Sequence, residues 1–270
     1  MIWSEIPQLR HAESGHFLLI AGPCVIENET MPMEIARQIA GICDRLSLPY
    51  IFKASYKKAN RSSLHSFTGI GDLRGLELLA EVRERLHIPV LTDVHTAEEA
   101  RRAADYVDVL QIPAFLCRQT ELLVAAAETG RWVNVKKGQF VSPEAMRFAV
   151  EKVRASGNPH VMLTERGSSF GYQDLVVDFT GIAAMKRNQC PVILDVTHAL
   201  QQPNQPTGVT AGRRDLIGVL AKAGIAAGFD GLFMETHPHP EQALSDASTM
   251  LPLDRLEPLL EKLLRIQAAL

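Results

Sequence analysis

No apolar run in the 270-residue chain approaches the roughly 18 residues of a membrane span. Its first stretch, "MIWSEIPQLRHAESG", has no basic start followed by an apolar segment, so no signal peptide is expected. Cysteine is scarce. Cys24, Cys43, Cys117 and Cys190 are widely spaced and form no CxxC pair, which argues for reduced thiols in a cytoplasmic enzyme. Neither sign of charge dominates: the formal net charge is −3, with charged residues at 22%. That excludes an overall basic surface for nucleic acid and an acidic tail. No linker or low-complexity segment interrupts the chain. No Gly-rich dinucleotide fingerprint follows any apolar run, which weakens a doubly wound open sheet.

What is present is a rhythm. Short β-rich segments alternate with amphipathic helical ones, and the hydrophobic content of 46% can fill one large core. Candidate strands are "HFLLIAGP", "PYIFKAS", "PVLTDVH", "VDVLQIPA", "WVNVKKG", "HVMLTERG", "PVILDVTH" and "GLFMETH". The helical stretches include "MPMEIARQIAGICDRL", "LRGLELLAEVRERLH" and "SPEAMRFAVEKVRAS", and the chain ends in "LPLDRLEPLLEKLLRIQAAL", whose leucines recur at spacings of three and four. Eight such units in about 250 residues predict an α/β fold, a (β/α)8 barrel. Residues 1–270 are expected to form one catalytic domain, with a short N-terminal hairpin closing the barrel's bottom.

In such a barrel, reactive groups gather where strands end. The candidate strands begin apolar and finish polar. They reach Lys53 and Ser55, Asp93 and His95, Lys136 and Lys137, Glu165 and Arg166, His198, and Glu235. Strand alternation puts Asn134 and Lys136 inside the barrel and Val133 and Val135 against the helices, which favours Lys136 over Lys137. Lys53 and Ser55 share a face, as do Phe233 and Glu235. His198 fits poorly, since it shares parity with Val196 and Leu194 while Asp195 takes the other face. Lys53, Lys58, Arg61, Lys136 and Arg166 would repel one another at one mouth unless an anion sits between them. A substrate with phosphate and carboxylate groups supplies that charge.

Cys24, His198, Glu235 and Asp246 offer thiolate, imidazole and carboxylate ligands. In a closed barrel strand one neighbours strand eight, and strand eight neighbours strand seven. Three of the four therefore end on adjacent strands, and Asp246 follows strand eight. Mixed S, N and O ligation suits zinc or ferrous iron. The competing reading of Cys24 is a buried structural thiol, which fits Cys43 and Cys190 well. His237 and His239, in "ETHPHPE", read either as solvent-facing loop residues or as competing ligands.

The segments "AGPC", "FKASYKKANRSSLHSF", "LQIPAFLCRQT", "VNVKKGQF", "LTERGSSFGYQDLVVD", "DVTHALQ" and "METHPHPEQALSDAST" occur in that order over nearly the whole chain. Together they resemble the 3-deoxy-D-manno-octulosonate 8-phosphate synthase family (2-dehydro-3-deoxyphosphooctonate aldolase). The resemblance implies a (β/α)8 barrel, usually a homotetramer. It also implies condensation of phosphoenolpyruvate with D-arabinose 5-phosphate, releasing phosphate, for lipopolysaccharide biosynthesis. Lys136, Arg166 and Ser55 would hold the phosphoenolpyruvate phosphate, with Lys53 and Lys58 near its carboxylate. Asn60, Arg61 and Ser62 would bind the sugar phosphate, the last two reaching toward a neighbouring subunit's site. Asp93 and Gln111 would line the pocket near the sugar and the metal. Lys53, Lys58, Lys136, Asp93 and His198 form the expected catalytic set.

One branch of the family has asparagine at the position of Cys24 and needs no metal. The cysteine here, with His198, Glu235 and Asp246, resembles the branch that requires a divalent ion, with zinc, ferrous iron and manganese all chemically suitable. The related seven-carbon synthase uses erythrose 4-phosphate and typically carries "KPRTS" where this chain has "KANRSS". Two rivals stand further off: a non-catalytic barrel sensing phosphorylated sugars, and a lysine aldolase working through Lys53 or Lys136. The loop "QQPNQPTGVTAGRR", residues 201–214, gives no individual roles.

Overall fold

The computed structural model describes residues 2–60, 64–203, 205 and 210–270. Eight parallel strands close on themselves: β1 Leu18–Gly22, β2 Tyr50–Lys53, β3 Val90–Asp93, β4 Val109–Ile112, β5 Trp132–Lys136, β6 Val161–Glu165, β7 Val192–Asp195 and β8 Gly231–His237. Each pairs with the next, and β8 returns to β1 with Ile20 opposite Phe233 and Gly22 opposite Glu235. Closure leaves no sheet edge. Helices α1 Met31–Leu46, α2 Asp72–Leu86, α3 Ala97–Ala103, α4 Thr120–Glu128, α5 Arg147–Ala155, α6 Gly181–Lys186, α7 Ile217–Ala227 and α8 Leu256–Gln267 lie between or after the strands. The expected (β/α)8 barrel is the observed one.

The helices form where apolar residues recur every three or four positions. In α1, Ile35, Ile39, Ile42 and Cys43 are buried on one stripe. A proline sits in its first turn, and Ser47, left-handed, ends it with its N–H donating to the Cys43 and Asp44 carbonyls. In α8 the buried stripe is Leu256, Leu260 and Leu263. Strands are buried on both faces, which is why they read as nearly continuous apolar runs.

Alternation divides each strand between two cores. Outward residues such as Leu19, Val133, Val135 and Leu194 pack under the helices. Inward residues fill the barrel: Leu18, Ile20, Ile51, Leu91, Val109, Trp132, Met162, Ile193 and Phe233. Above that apolar floor the inward positions turn polar, and there the candidate site begins.

The predicted N-terminal hairpin is not what closes the bottom. A one-turn 3-10 helix, Ile2–Glu5, leads into turns, and Trp3 and Ile6 cap the inner core. Glu5's carbonyl accepts the indole N–H of Trp132 at 3.3 Å. Plugging a barrel needs two bulky side chains on one side of the chain. A 3-10 turn gives this at spacing three, without strand pairing.

One glycine shows why "AGPC" ends β1. A Cβ on Gly22 would lie 2.0 Å from the Lys53 carbonyl oxygen. Only glycine lets the end of β1 approach β2 this closely, and Cys24 follows two residues on.

Candidate active site

A cavity of about 320 Å³ opens at the carboxyl ends of the strands. Lys53, Lys58, Lys136 and Arg166 line it, with Ser55, Asn60, Asp93, Gln111, His198, Glu235 and Asp246. A larger cavity of about 560 Å³ lies at the opposite end, around Trp3, Phe17 and Phe229. It gathers no comparable set of charged groups. In closed barrels chemistry belongs to the carboxyl end. Arg61 and Ser62 lie outside the described residues, so four of the five predicted cations are seen to converge.

The cations are not left to repel one another. Lys53, buried at the end of β2, donates to Glu235 Oε1 at 2.6 Å and to the Cys24 carbonyl at 2.8 Å. Lys58 donates to Asp246 Oδ2 at 2.5 Å and to Cys24 Sγ at 2.9 Å. Lys136 donates to Asp195 Oδ2 at 2.6 Å and lies 3.7 Å from the Phe233 ring centroid. The premise that only a bound anion could bring these lysines together is therefore corrected, because carboxylates inside the site already accompany each one. Arg166 differs. Its Nη2 donates to Gln201 Oε1 at 2.9 Å, while its Nη1 is buried without a hydrogen-bond partner. Among the described residues no carboxylate lies within ion-pair distance of it. Burial pushes its pKa down against the pull of Asp195, Asp246, Glu165 and Glu235.

A polar chain forms the floor. Thr164 donates to Asn134, Asn134 to Gln111, and Gln111 to Asp93 at 2.7 Å, while Ser55 donates to the other oxygen of Asp93 at 2.5 Å. Burial alone would raise the Asp93 pKa. Lys53, Lys136 and these hydrogen bonds instead hold it at about 2, so it is a carboxylate.

Cys24, Glu235 and Asp246 bring donor atoms within 4.8 Å of one another. His198 Nε2 lies 3.4 Å from Glu235 Oε1 and 4.0 Å from Asp246 Oδ2. Glu235 Oε2 is buried with no partner. A thiol, an imidazole and two carboxylates around an orphaned carboxylate oxygen fit a divalent metal. Lys58 is the cation that Cys24 and Asp246 meet here, as Lys53 is for Glu235, and a dication would compete with Lys58 for Cys24 and Asp246. Burial raises the Cys24 thiol pKa, with Asp246 and Glu235 adding to the effect; a bound dication would reverse that. Asp246 adopts a left-handed backbone, φ 48°, which aspartate tolerates better than most residues.

His198 does not obey strand parity because β7 stops at Asp195. The next residues form a 3-10 turn, His198–Leu200, that swings the imidazole over the mouth. His237 belongs to β8. Its Nε2 lies 3.9 Å from Glu27, its Nδ1 accepts the His239 N–H, and neither histidine lines the cavity. Asn60 stands exposed at the rim. From the 201–214 loop, Gln201–Gln202 pairs antiparallel with Ala211–Gly212, and Gln201, Pro203 and Thr210 reach the cavity.

Two buried charges, Asp195 and Lys137, are named by sequence reasoning without their roles being found. Asp195 is inward, with Ile193, by the same alternation that favoured Lys136; that parity was the available signal. Lys137 is fully buried outside the cavity. Its ammonium donates to the carbonyls of Gly138, Val141 and Gly167 and to Ser168 Oγ, and lies 3.4 Å from Glu165. It ties the segment after β5 to the base of an exposed hairpin, Ser168–Phe170 with Asp174–Val176. The alternation that put Lys136 inside gave no sign of Lys137's partners.

The pattern described as the DAHP synthetase I family matches residues 6–269. A protein of Koribacter versatilis (strain Ellin345) named 2-dehydro-3-deoxyphosphooctonate aldolase is 56% identical over 254 residues, covering 93% of this chain and 91% of that one. Proteins of the same name from Desulfotalea psychrophila and Cyanothece sp. are 51% and 50% identical, covering 93% and 98% of this chain and 90% and 97% of theirs.

Proposed function

This chain belongs to the DAHP synthetase I family, and from that premise we propose that it condenses phosphoenolpyruvate, D-arabinose 5-phosphate and water to 3-deoxy-D-manno-octulosonate 8-phosphate and phosphate. The relatives' shared name favours this over the seven-carbon synthase using erythrose 4-phosphate. The observation that carries the reading is Arg166. Its Nη1 is buried and unpartnered, and the residue lines a cavity that four lysines also line. A phosphate oxygen satisfies such a group directly.

Lys136, Arg166 and Ser55 take the phosphate of phosphoenolpyruvate, and Lys53 and Lys58 lie toward its carboxylate. The substrate's methylene carbon attacks the sugar aldehyde. Water adds at the carbon that turns electron-poor, and the hemiketal phosphate loses phosphate by C–O cleavage. No enzyme nucleophile is needed. Lys53 is ion-paired to Glu235, which favours its charged form over the free amine a Schiff base requires. Asp93, held ionised, and Gln111 orient the sugar, and Asn60, Arg61 and Ser62 meet its phosphate. Cys24, His198, Glu235 and Asp246 would hold a divalent ion: zinc, ferrous iron or manganese. Such an ion supplies Lewis acidity toward the aldehyde oxygen.

Residues 1–270 are read as one catalytic domain in a homotetramer. Phe115, Phe140, Phe148, Phe170 and Tyr172, all exposed in segments after β4, β5 and β6, support an apolar subunit interface there. The four cysteines are free, as a reducing cytoplasm allows, and no helix among the described residues is long and apolar enough to cross a membrane.

The test is phosphate release from phosphoenolpyruvate with each sugar phosphate, with and without exhaustive chelation. Turnover should need arabinose 5-phosphate, fall on chelation and return with a divalent ion. Preference for erythrose 4-phosphate would assign the seven-carbon reaction instead. Full activity after chelation, unchanged by added metal, would remove the metal from the reading.

A further inference from the structure

Asp195 touches both halves of the site. It ends β7, is wholly buried and points into the barrel. Oδ1 accepts from the backbone N–H of Thr197 at 3.0 Å, the Thr197 hydroxyl at 3.0 Å and the His198 N–H at 2.8 Å. Oδ2 faces Lys136 Nζ at 2.6 Å and His198 Nδ1 at 2.8 Å. One oxygen is thus anchored by the turn, and the other lies between a predicted phosphate ligand and a predicted metal ligand.

His198 Nδ1 has a second neighbour, Lys136 Nζ, at 3.4 Å. The two neighbours demand opposite tautomers. If Lys136 donates to Nδ1, the proton moves to Nε2, and that nitrogen cannot bind a metal. If Asp195 accepts from Nδ1, the proton stays there and Nε2 keeps its lone pair toward Glu235 and Asp246. Asp195 can accept from the ring and the ammonium together, because Oδ2 has two lone pairs.

We propose that Asp195 is a positioning residue that fixes the Nδ1–H tautomer of His198 and accepts the Lys136 proton that would otherwise compete for that ring nitrogen. It thereby couples the phosphate side of the site to the metal side. The metal half rests on the reading of a divalent centre above; the tautomer half does not.

The substitution Asp195→Asn has a definite expected effect. The three donors on Oδ1 keep the amide oxygen at that position. The amide nitrogen then occupies the place of Oδ2. There it donates to His198 Nδ1, drives the proton to Nε2 and faces Lys136 with no acceptor. The loss resembles that seen when a carboxylate orienting a histidine becomes an amide.

The experiment is nitrogen-15 NMR of histidine-labelled, metal-stripped protein in mildly alkaline buffer, with His198 assigned by its loss in His198→Gln. It is paired with a zinc titration against a chromophoric chelator. Wild type should carry Nδ1–H on His198. Asp195→Asn should carry Nε2–H and bind zinc about 10–100-fold more weakly. Any other ring form in wild type overturns the proposal, whether or not the variant folds. So does an Asp195→Asn protein with an unchanged tautomer or unchanged zinc affinity. Failure of wild type itself to take up zinc would instead overturn the metal reading, and the ring's tautomer would still decide the role of Asp195.

Discussion

Replacing Lys137 by methionine should weaken the fold at one place more than elsewhere. The ammonium is fully buried, with three backbone carbonyls, Ser168 Oγ and Glu165 around it. Methionine keeps much of the stem's volume but leaves those acceptors and a buried carboxylate without their cation. Breaking a buried ion pair from one side costs about 3–5 kcal/mol. Glu165 keeps its hydrogen bond from the Gly167 N–H at 2.6 Å, so the lower end of that range applies. Against a total stability of about 5–15 kcal/mol the variant still folds. With a urea slope of about 3 kcal/mol per molar, a loss of about 3 kcal/mol moves the midpoint down by about 1 M. Amide exchange should accelerate most in residues 138–141 and 167–176, the two segments Lys137 joins. An unchanged midpoint with unchanged exchange there would refute the reasoning, since the buried ammonium would then hold nothing together.

Trp3→Ala should cost about 3–5 kcal/mol in urea unfolding by uncapping the inner core. KM should stay near the wild-type value, because Trp3 lies at the end remote from the candidate site; a KM rise without loss of stability would contradict that. Acid should destabilise the protein through Asp93. Its folded pKa of about 2 lies below the ordinary 3.8, so its contribution is complete above that ordinary value and is lost as pH falls through about 2. Circular dichroism on acid titration should show a shallower loss of stability in Asp93→Asn over that window; identical curves would refute it. Cys24→Asn should weaken zinc binding in the chelator competition while retaining some turnover, as the branch with asparagine implies. Undiminished zinc affinity would remove Cys24 from the ligand set.

Much of this barrel is legible in the chain. The two-residue alternation within strands and the three-to-four spacing between them predict eight units, place Lys136 inward, and set Lys53 with Ser55 and Glu235 with Phe233 on shared faces. The hairpin expected at the N-terminus fails because nothing local shows that Trp3 and Ile6 have a barrel floor to plug. The parity doubt over His198 fails for a related reason. Alternation describes a strand only while it lasts, and β7 ends three residues earlier.

The sequence by itself determined the period of the fold and the motifs of the family, because both are written in local spacing. It also singled out Cys24, His198, Glu235 and Asp246 as a donor set. The tertiary structure alone decided which charge answers which. Lys53 meets Glu235 across 182 positions and Lys58 meets Asp246 across 188. Asp195 lies between Lys136 and His198, while Arg166 keeps an open nitrogen. Electrostatic partnership depends on distance in a buried medium, and distance between strand ends is set only when the barrel closes.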